Sequence, residues 1–465
     1  MSLAETAYLV LRAIVLVVTI GCLFAMPRRV WPIRVLALTA ITAYAACVVW
    51  TFQVPYDFKR FWQVGRDLAA GVDYYALSPT GARQLILNPP TVLPLFRAWA
   101  CLGLRDAAGI WTALNALGGM ALVPLAHAAV RAQMGEGAPR LPRPQIGLLA
   151  AAFGLSAGQW MGMALGQVSV LAVAAILGAL WAQGARRPAL AGLALAVATI
   201  KANTLLPFLG LFLRREDRRS WATFGLGTIA LCLATGSPAE LPRRCATTLA
   251  TIRATFEPGR VNDYSYAGES HVSLVGLDHA FYRLALRDRS LVRFLQCALL
   301  AGMCGLTYAR LWNGAIGRAE ACAAVGLIGG LFFYHRIYDE VLMVLPVMYG
   351  ALRASSGHAA SRRRWASFAA VALLVSYVSP DGLRMLEAAS WAMGPVGGVI
   401  RGAFLPLAAW LIVLAFVVHA VGRCAPKRQN ALQYLGMRTD KTNISGCPRD
   451  FTSVSPCSRE IRLGR

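Results

Sequence analysis

Four stretches of this sequence carry residue types that can do chemistry, and each interrupts an otherwise apolar chain. The first is Val54 to Pro90, VPYDFKRFWQVGRDLAAGVDYYALSPTGARQLILNPP. Asp57 stands there where an apolar run gives way to polar sequence. A carboxylate at such a water boundary can stay ionised and accept a proton from a hydroxyl within hydrogen-bond reach. Asp57 is equally suited to cap the helix that starts beside it. The second is Lys201 in AVATIKANTLLPF, one of only four lysines, the others being Lys59, Lys427 and Lys441. An ammonium in hydrocarbon costs a few kcal/mol, so it must meet a partner or a wet cavity. Holding an anionic phosphate is the expected role; snorkelling or a structural ion pair is the plainer alternative. The third is Gly166-Gln167 in QWMGMALGQVSVL, which places amides at the start of a helix or serves simply as a loop. The fourth is Tyr334-His335-Arg336-Ile337-Tyr338-Asp339-Glu340, mostly titratable or aromatic and lodged between two apolar runs. That pattern fits a cavity wall, with a solvated loop as the alternative. Trp62, Gln167, Asn203, Tyr338 and Asp339 are the side chains expected to line the substrate cavity.

The elements that must position these groups are membrane helices. Hydrophobic residues make up 57% of 465 and charged residues 15%, with mean hydropathy +0.53, too apolar for a soluble globule. Apolar runs of about 17 to 25 residues recur, so the expected class is all-α: a polytopic bundle of about 11 to 13 membrane helices, with amphipathic helices in its outer loops. The net charge of +24 would suggest nucleic acid in a soluble protein. Here the arginines crowd short loops (Arg28-Arg29, Arg186-Arg187, Arg214-Arg215, Arg218-Arg219, Arg362-Arg363-Arg364), as in a positive-inside topology, and no nucleic-acid partner is expected. The cysteines lie mostly inside apolar runs and read as packing residues. Glu5 precedes Arg12 in the first apolar run and no small-residue cleavage site follows, so that run reads as a retained helix. No HExxH, Walker A loop, GxGxxG or DxD motif occurs, which disfavours soluble nucleotide-using chemistry.

Taken in order, the expected spans are Tyr8 to Met26, Arg34 to Phe52, Thr91 to Leu104, Ile110 to Val130, Ile146 to Leu165, Val168 to Trp181, Ala189 to Leu213, Trp221 to Thr235, Leu291 to Trp312, Ala319 to Tyr334, Val341 to Leu352, Trp365 to Val378 and Ala403 to Val421. The loop PRRVWPIR belongs in the cytoplasm, which sets Asp57 outside. From Phe58 the apolar residues Phe58, Phe61, Trp62, Gly65 and Leu68-Ala69 share one helical face, predicting an amphipathic helix on the membrane surface. If every span crosses once, Arg131, Arg140 and Arg143 fall outside. Two half-helices meeting at Lys201 within Ala189 to Leu213 would repair part of this. An odd number of crossings must also be lost between Pro90 and Val130. Residues 1–422 form one membrane domain with outer loops 54–90 and 236–290, and the basic tail 423–465 is expected to be disordered.

Three of these blocks together resemble the family 87 glycosyltransferases, polytopic GT-C enzymes that use polyprenyl-phosphate sugars. PYDFKRFWQVGRDLAAGVDYY with LILNPPTVLPLF is similar to the family's DF-x-x-[YF]W-x-[AG] and YPP elements, with Asn88 where an aromatic is usual. GQVSVLAVAAILGALWAQGARRPALAGLALAVATIKANTLLPFLGLFLRR is similar to its GQ-x-[NS] start, its buried-Lys segment and its Arg-rich close, with the following Pro displaced to Pro207. SHVSLVGLDHAFYRL resembles the motif of the second outer loop, and HRIYDEVLMVLP an aromatic-His or Tyr-Asp block. The resemblance covers roughly Phe52 to Leu345. It implies a hexosyltransferase, mannosyltransferase-like, of the bacterial inner membrane with its site on the outer face. Asp57 would be the general base, and Lys201 with His335 or Arg336 would steady the departing lipid phosphate. Attack in line opposite that phosphate inverts the anomeric carbon. The partners are then a polyprenyl-phosphate sugar donor and a lipid or glycan acceptor; no cofactor is expected, and with no acidic cluster beyond Asp339-Glu340 no obligatory metal is expected either. The rival reading is a transporter or flippase for an anionic lipid-linked precursor; the absence of a detectable repeat between the two halves weighs against it.

Overall fold

The computed structural model describes residues 3–25, 30–50, 52–72, 88–255, 257, 288–332 and 337–377, all within one compact unit, Met1–His419. His335, Arg336, the second outer-loop motif, the last expected span and the basic tail lie outside the described residues. The protein is all-α, with no strand among the described residues.

The chain opens with α1 (Leu3–Ala25) and α2 (Val30–Trp50), then α3 (Tyr56–Ala69), α4 (Leu93–Trp99) and α5 (Leu104–Met134). Exposed apolar side chains such as Val17, Trp31, Leu38 and Val49 stud α1 and α2, as lipid-facing helices require. α4 corrects the expected span Thr91 to Leu104. Its seven residues reach only about 10 Å at 1.5 Å per residue, against a hydrocarbon core of about 30 Å. Pro90 and Pro94 permit only the first turns of short helices, and Gly103 separates α4 from α5.

After α5 come α6 (Arg143–Gly154) and α7 (Ala157–Leu165), bent by 55° at their junction, then α8 (Ser169–Gly184), α9 (Pro188–Ala198) and α10 (Ala202–Leu209). α8 runs beside α5 in the same direction. Gly118 packs on Val170 at one end, and Gln133 donates to the Leu180 carbonyl (2.6 Å) and to Gln183 Oε1 (3.2 Å) at the other.

Pro188–Phe212 has the length and apolarity of a single span, yet it doubles back at Lys201. α9 climbs antiparallel to α8, with Gly178 against Ala194, and reaches Ser169, whose Oγ accepts from Lys201 Nζ at 2.6 Å. A straight continuation would carry Leu211 about 15 Å beyond Lys201. Instead the Leu211 carbonyl accepts from Gln183 Nε2 at 3.0 Å, about 21 Å down α8 from Ser169. The reversal is made by a 3-10 turn, Thr199–Lys201, ending with Lys201 at φ −137° and ψ 77°, outside the helical region. The half-helix expectation therefore holds in the geometry. Arg131, Arg186-Arg187 and Arg214-Arg215 all gather at the end of α8 remote from Ser169.

α11 (Arg218–Leu233) returns alongside α9, with Ser220 and Thr223 against Gly192 and Ala196 against Gly227. Then follow α12 (Leu241–Thr255), α13 (Arg289–Trp312), α14 (Arg318–Phe332), α15 (Val344–Ser356) and α16 (Ala359–Val375), with a 3-10 turn Ile337–Met343 entering α15 where a span was expected to begin at Val341. By length and apolarity four described segments pass for single spans, Pro188–Phe212 among them before its reversal is counted, and five if the bent pair is one span. Much of the apolar sequence forms shorter helices that pack on one another. Arg12, buried in α1, ties the first helix to the end of the last described one: its Nη2 donates to the carbonyl of Tyr377, just past α16, at 3.0 Å, and the Tyr377 hydroxyl donates to the Ala152 carbonyl at 2.7 Å.

Candidate active site

α3 forms where periodicity predicts it, and its apolar face packs on α4 and α5. Phe58, Phe61, Val64 and Gly65 are its buried residues. Phe61 stacks on Phe96 of α4 with centroids 4.4 Å apart, and Phe58 stacks on Trp111 of α5 at 5.5 Å, while Trp99 stands edge-on to both Phe58 and Trp111. Such aromatic pairs add about 0.5–1.5 kcal/mol each beyond their burial. Gly65 lets α4 approach, since a Cβ there would collide with the Phe96 carbonyl. Trp62 is half-buried; its indole donates to the Leu102 carbonyl at 3.0 Å and carries the Arg66 guanidinium over its ring.

This packing fixes Asp57. The N-cap of α3 is Pro55, and Asp57 sits in the first turn, so the capping alternative does not describe it. Its partly exposed carboxylate accepts a hydrogen bond from Gln167 Nε2. Gln167 is aimed by the end of α7. There the Gly166 and Gln167 amides donate back to Met163 and Gly162 (3.1 and 2.8 Å), the pairing of a helix terminated by a left-handed glycine, with Gly166 at φ 76°. The Gly166 carbonyl accepts from Trp111 Nε1 at 2.9 Å. A Cβ on Gly166 would lie 2.6 Å from Phe58 Cβ and 2.9 Å from Pro55 Cβ. Gly166→Ala is thus strained twice, by its backbone and by the helix that carries Asp57. Positive φ costs an L-residue about 1–2 kcal/mol, and displacement of about 1 Å at a reacting group can cost up to roughly 100-fold in rate. The expected outcome is a lower melting midpoint and transfer reduced by roughly 10–100-fold; wild-type transfer would show that Gly166 does not set the Asp57–Gln167 geometry.

Two residues beyond Gln167 a second polar cluster begins. Ser169 opens α8, and its Oγ donates to Asp339 Oδ1 at 2.8 Å. Lys201 Nζ donates to the same Asp339 oxygen and, at 2.6 Å, to Ser169 Oγ. Lys201 is 7% exposed, Asp339 3% and Ser169 1%, so this is an ion pair shielded from solvent. The alternative of a structural ion pair therefore describes Lys201 as the structure stands. Glu340 is buried beside Asp339, and its Oε2 has no hydrogen-bond partner. Burial, reinforced by the Asp339 carboxylate, pushes Glu340 well above the usual carboxylate range. The turn Pro90–Val92, which follows Asn88 and Pro89, packs against the Lys201 turn and brings the buried Thr91 to it.

Of the expected site residues, then, the structure joins Asp57 with Gln167 and Lys201 with Asp339, both through the start of α8. Asn203 is half-buried on α10, two residues past Lys201. Tyr338 belongs to the turn that carries Asp339. Residues 87–346, more than half of the chain, match glycosyltransferase family 87. The chain belongs to that family. The matched region of this family 87 glycosyltransferase includes Gln167, Ser169, Lys201 and Asp339 but begins after Asp57. No curated protein matches the chain. Two contributors were not singled out from the sequence, Ser169 and Trp111. The signal for Ser169 was present as the serine two residues after Gln167 in GQVS; Trp111 lies inside an apolar run with no local mark.

Proposed function

We propose that this family 87 glycosyltransferase moves a hexose, with mannose as the sugar of choice, from a polyprenyl-phosphate donor to a lipid or glycan acceptor. The observation that carries the reading is the Asp57 carboxylate, partly exposed and oriented by Gln167 from the segment that also leads to Lys201. In the reaction an acceptor hydroxyl attacks the anomeric carbon as its proton passes to Asp57. The bond from that carbon to the phosphate oxygen breaks, and the lipid phosphate leaves with the electron pair. Attack opposite the leaving group inverts the centre. Charge grows on the phosphate, where a cation in a low-dielectric site acts most strongly without reorganising; Lys201 is that cation, with His335 and Arg336 as further candidates. Trp62, Asn203 and Tyr338 are assigned to the surrounding cavity. The gathering of arginines at the end of α8 remote from Asp57 supports a site on the outer face of a bacterial inner membrane.

One observation also favours a transporter of anionic lipid-linked precursors: two half-helices, α9 and α10, meeting at a buried lysine. Proteoliposomes holding the purified protein, polyprenyl-phosphate mannose labelled in the sugar and a mixed acceptor lipid pool separate the two readings. Label appearing in a new covalent product is the expected result. Label that crosses the bilayer still on its polyprenyl carrier would overturn the enzyme reading.

A further inference from the structure

We propose that Ser169 and Lys201 form the seat of the donor's phosphate, and that the Asp339 carboxylate fills this seat until the lipid phosphate displaces it. The inference rests on the donor class proposed above and adds two residues to it. Its basis is convergence: an ammonium and a hydroxyl both donate to one oxygen, Asp339 Oδ1. A single anionic oxygen met by a point charge and a neutral donor is also how a phosphate oxygen is held. Ser169 is in addition the first residue of α8, where unpaired amides and the positive end of the helix favour an anion.

Asp339 explains how so buried a lysine persists without substrate. A lone ammonium away from water is costly, and an internal carboxylate neutralises it. The exchange is balanced in charge. A polyprenyl-phosphate sugar is a phosphodiester with one negative charge, so it replaces one carboxylate with one anion at Lys201. After the sugar leaves, the lipid carries a monoester with a second charge, and the same two donors then face a stronger anion than either the donor or Asp339. The seat therefore favours the leaving group over the ground state, which accelerates the transfer step. Asp339 is carried by the seven-residue 3-10 helix Ile337–Met343 that leads into α15, and the neighbouring Glu340 leaves one oxygen without a partner. The carboxylate can be released by rotation of the Asp339 side chain alone, which leaves the backbone hydrogen bonds of that helix in place.

The two possible roles of Asp339 predict opposite signs. The probe is sugar-free polyprenyl phosphate, titrated against the full-length protein in nanodiscs, with the dissociation constant and the unliganded melting midpoint read together. Asp339→Asn is expected to melt lower without ligand but to bind polyprenyl phosphate about tenfold more tightly, and Lys201→Met added to it is expected to abolish the gain. If Asp339→Asn binds polyprenyl phosphate no better than wild type, or worse, the carboxylate is a fixed strut and the inference is overturned. Should that variant fail to fold, Ser169→Ala, which keeps the ion pair, decides the matter. It is expected to weaken binding by roughly tenfold, as loss of a hydrogen bond to a charged group does; an unchanged constant overturns the seat. Wild-type protein that does not bind polyprenyl phosphate overturns it as well. Failure of the glycosyltransferase reading is distinguishable, because it would leave polyprenyl phosphate binding and its response to these variants intact while no labelled sugar is transferred.

Discussion

Replacing Lys201 with Met is expected to destabilise the folded protein by about 3–5 kcal/mol and to abolish donor binding. The size of the effect comes from what remains, not from the attraction that is removed. Asp339, 3% exposed, would keep its carboxylate in a site sealed from water with, among the described residues, the Ser169 hydroxyl left to satisfy it. Against a total stability of about 5–15 kcal/mol for a typical domain, that loss is large. Stability and function can be separated by removing the second charge. Lys201→Met combined with Asp339→Leu puts apolar groups on both sides, an exchange that is often neutral or stabilising for buried pairs. The double variant is expected to recover most of the melting midpoint while donor binding stays lost. Thermal unfolding in one detergent, paired with donor titration, reads both quantities. A Lys201→Met protein that melts like wild type would show that the pair contributes little. Recovery of donor binding in the double variant would remove Lys201 from the phosphate site.

How much of this was legible in the sequence depends on whether the cause was local. The helix of Asp57 was legible because Phe58, Phe61 and Gly65 repeat at helical spacing and the charges fall off that face. What covers that face was not: an amphipathic pattern looks the same whether lipid or protein lies against it, and here Phe96, Trp99 and Trp111 from later in the chain take the place of lipid. Lys201 was legible as a lone cation among apolar residues. Its partner was not, because Asp339 lies 138 residues away and no local rule couples the two. The reversal at Lys201 could be inferred from where the arginines must lie, a constraint on the whole topology. Thr91 to Leu104 misled for the opposite reason. Its composition is apolar enough for a membrane, while Pro90, Pro94 and Gly103 confine the helix to seven residues. Gln167 was visible as an amide splitting an apolar stretch; that it would reach Asp57 depends on Gly166 in the left-handed region, packed directly on Pro55 and Phe58.

The account stands on Asp57 as the group that takes the acceptor's proton. Asp57→Asn tests it with little disturbance, because the amide has the same shape and its oxygen can still accept from Gln167 Nε2. What it loses is the capacity to take up a proton, and general-base catalysis is worth about 10²–10⁴-fold. The measurement is the rate of sugar transfer from saturating polyprenyl-phosphate mannose in proteoliposomes, wild type beside Asp57→Asn, with the donor dissociation constant determined on the same preparations. Transfer lower by about 10²–10⁴-fold at an unchanged dissociation constant is the predicted result. Transfer at the wild-type rate by Asp57→Asn would contradict the assignment.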